Sequence, residues 1–194
     1  MPVDSKLRLT NVRLSFPALF RAKSFKPDQE PSYSASFIMN KVEDADQIQE
    51  IRRVMTDVAK EKWGNNIPKG IKLCLRDGAE PGKEDVDGYG PEVMFVSSSS
   101  RKKVPIVDGS LAPITEEEGK VYAGCYVNAS VRFWAQDNEF GKRINCQLNA
   151  VQFAFDGEAF GEAPVKVEEE FEVLDGGTAG AAPDAGAEGG GLLG

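Results

Sequence analysis

Between Val121 and Phe155 the chain alternates apolar and polar residues almost without a break. Val121, Ala123, Cys125, Val127, Ala129, Val131, Phe133 and Ala135 fall on one side of a period of two. Tyr122, Gly124, Tyr126, Asn128, Ser130, Arg132 and Trp134 fall on the other. That period over that length describes a long β-strand with one buried face, and it excludes a helix. Asp137-Asn138-Glu139-Phe140-Gly141 supplies a turn. On the return run Ile144, Cys146, Leu148 and Ala150 face inward and Arg143, Asn145, Gln147 and Asn149 outward. The phase then slips, which places Val151, Phe153 and Phe155 on the buried side. An isolated hairpin is marginal in water, so this one needs further strands to cover its apolar face.

Other segments provide them. Residues 7–16 alternate with one slip at Thr10-Asn11, the signature of a bulge, and Pro17 is expected to end that strand. Residues 33–39, 71–76, 93–97 and 103–107 read as shorter strands. The one helical pattern is 44–63, where Ile48, Ile51, Met55 and Val58 recur at three and four and Gly64 supplies a left-handed stop. About seven strands, several bent by bulges, with a single amphipathic helix predict a mainly β fold. An elaborated OB-type antiparallel barrel is the leading expectation and a β-sandwich the alternative.

The formal charge of −8 on 194 residues is unevenly placed. Residues 156–194 carry ten acids and the single base Lys166, so the rest of the chain is close to neutral at +1. From Gly176 the composition falls to little besides Gly, Ala, Asp, Glu, Pro and Thr, too poor in apolar groups to offset the entropy of ordering. The expected organisation is a folded domain over 1–163 and a flexible acidic tail over 164–194. In that tail Glu168, Glu169, Glu170, Glu172 and Asp175, with the terminal Leu192-Leu193 pair, are the candidate partner-binding residues. The tail reads either as a solubiliser or as an interaction segment that also screens a basic face of its own domain.

Several chemistries are excluded or unsupported. With no histidine there is no Ser-His-Asp triad, no Cys-His dyad and no imidazole metal ligand. Cys74, Cys125 and Cys146 show no paired spacing and lie in apolar strand patterns, so buried free thiols are expected. No phosphate-binding glycine pattern is present, and no cofactor is expected. The acids of the 77–92 loop, including Asp77, Glu80, Glu84, Asp85, Asp87 and Glu92, leave a metal-dependent nuclease as an alternative, although they lie on a Gly/Pro loop without recognisable spacing. No apolar run reaches the ~20 residues of a membrane span, and the N-terminus lacks a signal peptide's apolar core, so a cytoplasmic location is expected.

The outward face of the 121–149 hairpin is unusual for a solvated sheet. It carries Tyr122, Tyr126, Arg132, Trp134 and Arg143 among amides, with no acid before the turn. Aromatic rings stack on bases and guanidinium groups meet phosphates, so single-stranded nucleic acid is one occupant that fits. A second copy of the chain, in an oligomer or a structural adaptor, is the other. Arg101-Lys102-Lys103 forms a basic loop, and Arg13 and Lys23 lie in a second basic region near Phe16, Phe20 and Phe25. The candidate nucleic-acid-binding set is Arg13, Lys23, Arg101, Lys102, Lys103, Tyr122, Tyr126, Arg132, Trp134 and Arg143.

Five strings occur in a particular order: Asn11-Val-Arg-Leu-Ser-Phe-Pro17, Tyr33-Ser-Ala-Ser-Phe37, Leu75-Arg-Asp-Gly78, the run Tyr122 to Phe133, and Leu148-Asn-Ala-Val-Gln-Phe153 followed by Asp156-Gly157. Together they resemble a family of bacteriophage and prophage single-stranded DNA-binding proteins of OB-type fold, over about residues 7–161. The resemblance implies a non-catalytic protein that coats single-stranded DNA in phage replication or recombination, in the host bacterial cytoplasm. It also implies a tail that recruits replication or recombination partners. Tails of this kind commonly end in acids and an aromatic residue, whereas this one ends Gly191-Leu192-Leu193-Gly194.

Overall fold

A computed structural model describes residues 3–161. The tail residues Glu168, Glu169, Glu170, Glu172, Asp175, Leu192 and Leu193 lie outside that range. The described chain forms β1 (Lys6–Lys23), β2 (Ser32–Asn40), α1 (Ala45–Trp63), β3 (Lys72–Leu73), β4 (Leu75–Asp77), β5 (Val93–Ser100), β6 (Ile106–Val107), β7 (Tyr126–Asn138) and β8 (Gly141–Phe155), with one 3₁₀ turn at Glu116–Glu118.

The strands pair in the order β8-β7-β1-β2-β5, and β5 returns to β8 through a parallel bridge between Ser99 and Gln147. Five strands therefore close on themselves as an OB-like barrel, not a sandwich. The β5–β8 seam is stitched by the β3–β4 segment. Lys72-Leu73 pair with Arg143-Ile144, Leu75–Asp77 pair with β5, and Cys74 joins both sides. Its N–H donates to the Ile144 carbonyl and its own carbonyl accepts from Ser97, each at 3.1 Å.

The barrel fills with the residues that alternation placed inside. Val12, Leu14, Phe37, Val96, Val127, Val131 and Phe133 are at most 1% exposed. Burying a side chain of this size contributes roughly 1.5–3 kcal/mol. Helix α1 closes one end through Ile48, Ile51, Val54, Met55, Val58 and Ala59, packing mainly on β7 and β8. Its ends are tied down: Gln47 exchanges two hydrogen bonds with the Thr10 backbone, and the Trp63 indole N–H donates to Asp137 at 2.8 Å. Cys74, Cys125 and Cys146 are buried free thiols, and burial pushes the Cys125 and Cys146 thiols up from their ordinary pKa.

Bulges account for the departures from simple alternation. The expected slip at Thr10-Asn11 is present, with Asn11 at φ +51°. A second bulge in β1, between Ser15 and Ala18, was not expected. Pro17 sits inside it, where no ladder hydrogen bond is lost, so the strand runs on to Lys23 instead of ending. In β8 the slip falls at Asn149, and a further shift beside Ala154 turns Phe155 outward, 47% exposed. Residues 121–125 are not strand: Gly124, at φ +107°, turns the chain before β7 begins. Tyr122 therefore leaves the hairpin face to which alternation assigned it.

Candidate nucleic-acid interface

A groove of about 890 Å³ runs across the outer surface of β2, β5 and the β3–β4 stitch to β8. Its floor is serine. Antiparallel pairing sets Ser36 opposite Ser97 and Ser34 opposite Ser99, with Ala35 and Ser98 turned inward. Short hydroxyl side chains keep the floor low and let a ligand approach the sheet closely. Four cations line the groove, Lys72, Arg76, Lys83 and Arg143, and no carboxylate does.

One wall is aromatic. Phe16 is 50% exposed because it occupies the second β1 bulge at φ +46°, a left-handed conformation that costs a bulky residue of order 1–2 kcal/mol. Tyr89, on the 78–92 loop, lies 6.1 Å from Phe16 and edge-on to Phe95 at 5.0 Å. Its hydroxyl donates to Ser15 at 3.2 Å. The Lys83 ammonium rests over the rings of Phe16, Tyr89 and Phe95 at 4.7–5.3 Å, and Arg76 covers Phe95 at 4.7 Å. Phe25 and Gln29, from the β1–β2 connection, close the near end.

Two enclosed polar atoms have no hydrogen-bond partner among the described residues, Ser34 Oγ and Arg143 Nε. Both residues line the groove. An enclosed donor without a partner costs roughly 1–3 kcal/mol.

The residues expected to bind nucleic acid separate into five places. Arg143 lines the groove. Arg101, Lys102 and Lys103 follow the end of β5, exposed, with Arg101 3.3 Å from Glu30 of the β1–β2 connection. Lys23 lines a smaller cavity of about 520 Å³ behind Phe16 and Phe25. Arg132 and Trp134 point outward on β7, on the far side of β8 from the groove.

Arg13, Tyr122 and Tyr126 instead form a clasp on residues 155–160. Arg13 donates to the carbonyls of Gly124 and Glu158 at 3.2 and 2.8 Å, and its guanidinium covers Phe160 at 4.3 Å. Tyr126 stacks on Phe155 at 4.6 Å. The Tyr122 hydroxyl lies 2.9 Å from both Asp156 Oδ1 and the Gly157 carbonyl, and burial pushes its pKa up. Lys72, Arg76, Lys83 and the serine floor went unrecognised in the sequence. Their only signal was the alternation Ser34/Ser36 and Ser97/Ser99 on strands whose inward residues, Ser98 apart, are apolar.

Four acids of the 77–92 loop, Asp77, Glu80, Glu84 and Asp87, have local partners. Asp77 accepts from Lys41 at 2.7 Å and from the Ala79 N–H, which together hold its carboxyl below the usual range. Glu80 pairs with Arg76, and Asp87 accepts from the Gly161 N–H. Among the described residues, no three Cys, Asp or Glu side chains cluster so as to hold a metal ion. No described helix is long and apolar enough to cross a membrane.

A closed five-stranded barrel with a cationic, aromatic-walled groove across its second and third strands defines an OB-type protein. The comparisons narrow the class. The family model of the single-stranded DNA-binding protein of Enterobacter phage Enc34 matches residues 5–182, and the chain belongs to that family. Protein p50 of Acyrthosiphon pisum secondary endosymbiont phage 1 is 36% identical over 178 residues, covering 87% of this chain and 94% of that one. Among solved structures, the Enc34 single-stranded DNA-binding protein in complex with ssDNA superposes with a TM-score of 0.71 at 24% identity, over 81% of this chain and 90% of that one. The gp2.5 single-stranded DNA-binding protein of bacteriophage T7 gives 0.53 at 10% identity, over 91% and 98%.

Proposed function

We propose that this chain binds single-stranded DNA without strong sequence preference, along the β2–β5 groove, as a phage replication or recombination protein in the host bacterial cytoplasm. The observation that carries the reading is the groove itself: a serine floor, an aromatic wall and four cations with no acid among them. Phe16 and Phe25 offer stacking surfaces to bases, and Lys72, Arg76, Lys83 and Arg143 offer charge to phosphates. Family membership supports the same function. The family is one of DNA-binding proteins, which supports a reading of binding rather than of catalysis.

The acidic tail fits this reading as a competitor for the groove and as a recruiter of protein partners, because residues 164–194 carry seven acids against the single base Lys166. Fluorescence anisotropy of labelled oligo-dT, duplex DNA and mixed-sequence single strands tests the function. Single strands of differing sequence should bind alike and more tightly than duplex; no retention of single strands at low salt would end the reading. Removal of residues 164–194 should tighten binding, and unchanged affinity would remove the competitor role.

A further inference from the structure

The groove ends on β8 at Arg143 and Asn145, but the cationic surface does not. Residues paired across antiparallel strands share a face. On β7 and β8, Gln136 sits opposite Arg143, Trp134 opposite Asn145 and Arg132 opposite Gln147. On the next strand, Lys6 sits opposite Arg132 and Arg8 opposite Ser130. Arg143, Trp134, Arg132, Lys6 and Arg8 therefore form one outward strip that crosses β8, β7 and β1. Lys6, Arg8 and Arg132 are exposed, and so is Trp134 at 44%. Between them lie amides. The acids at its margins are Asp4, which accepts the Lys6 backbone N–H, and Asp137, which is held by Trp63 and Lys142.

We infer that this strip is a second binding segment for the same DNA strand: a single strand that fills the serine-floored groove continues over Arg143, stacks a base on Trp134 and runs along Arg132 toward Lys6 and Arg8. This rests on the groove reading above. Two features favour one continuing strand over a second copy of the chain. The strip joins the groove without a gap, since Arg143 belongs to both, and its charge complements phosphate and would repel its own image across a two-fold contact. Trp134 supplies the stacking surface that the groove lacks at its β8 end.

OB folds occupy about 4–16 nucleotides, so oligonucleotide length separates the two segments. The chain has two tryptophans, and Trp63→Phe leaves Trp134 as the sole indole reporter. With DNA in excess, so that each strand holds one protein, a dT of about eight nucleotides should bind and leave Trp134 fluorescence nearly unchanged, whereas one of about thirty should quench it. In the otherwise unaltered protein, Arg132→Ala with Lys6→Ala should weaken the longer oligomer about tenfold and leave the shorter one unaffected. Anisotropy reads this without the Trp63 substitution, so a folding defect there does not decide the matter. Trp134 silence at every length, equal loss for both oligomers, or a stable dimer that shields Trp134 would overturn the strip. If neither oligomer binds at all, the groove reading fails; if the short one binds while Trp134 stays silent, the strip alone fails.

Discussion

The groove's charge makes a quantitative prediction about salt. Cations that neutralise phosphates release counterions, so affinity falls with salt in proportion to the number of contacts. For single strands the slope of log K against log salt is about 0.7 per phosphate neutralised, which gives about 2.8 for the four groove cations. Raising salt from about 50 to 200 mM should then weaken a short oligo-dT roughly fiftyfold. Lys72→Ala with Arg143→Ala removes two of the four, one on β3 and one on β8, whose backbones pair directly. The slope should halve to about 1.4, and the same salt step should cost only about sevenfold. Neither side chain forms an ion pair with a carboxylate among the described residues, so the fold should survive both changes. Anisotropy at five salt concentrations measures both slopes, with Lys60→Ala/Lys62→Ala on the last turn of α1 as the control pair. Equal slopes for the groove variant and the parent protein, or an equal drop for the α1 pair, would refute the placement of DNA in the groove.

Two substitutions test how the site is held. Phe16 occupies a left-handed position for the sake of its exposed ring, so Phe16→Gly should weaken single-strand binding about five- to a hundredfold while the melting temperature holds or rises. A matching fall in both would show that the ring is structural. A side-chain carbon at Gly124 would meet the Glu158 carbonyl in a backbone conformation that residues with a Cβ rarely adopt. Gly124→Ala should therefore displace the 155–160 clasp and cost about 1–3 kcal/mol in urea unfolding.

Alternation along the sequence made the β7–β8 hairpin, the closed barrel and the capping helix legible, because a buried face enforces parity residue by residue. Where a bulge interrupts that parity, the reading went astray. Phe16 continues the Val12, Leu14 pattern by spacing, yet one left-handed residue turns it to solvent. Phe155 follows Val151 and Phe153 by spacing, yet the shift at Ala154 stacks it outside on Tyr126. Tyr122 looked like a sheet residue because nothing in the alternation marks the turn at Gly124. The groove was hidden for another reason. Its cations come from residues 72–83 and 143, which only the β5–β8 seam brings together, and its serine floor carries no apolar or charged signal.

Ultraviolet cross-linking of a short oligo-dT, followed by mapping of the modified peptides, tests the central claim most directly. Adducts should concentrate on Phe16, Phe25 and the segments 32–36, 72–76, 97–99 and 143–146 that line the groove. Adducts confined to α1, or to the 106–118 region beyond the barrel seam, would contradict it.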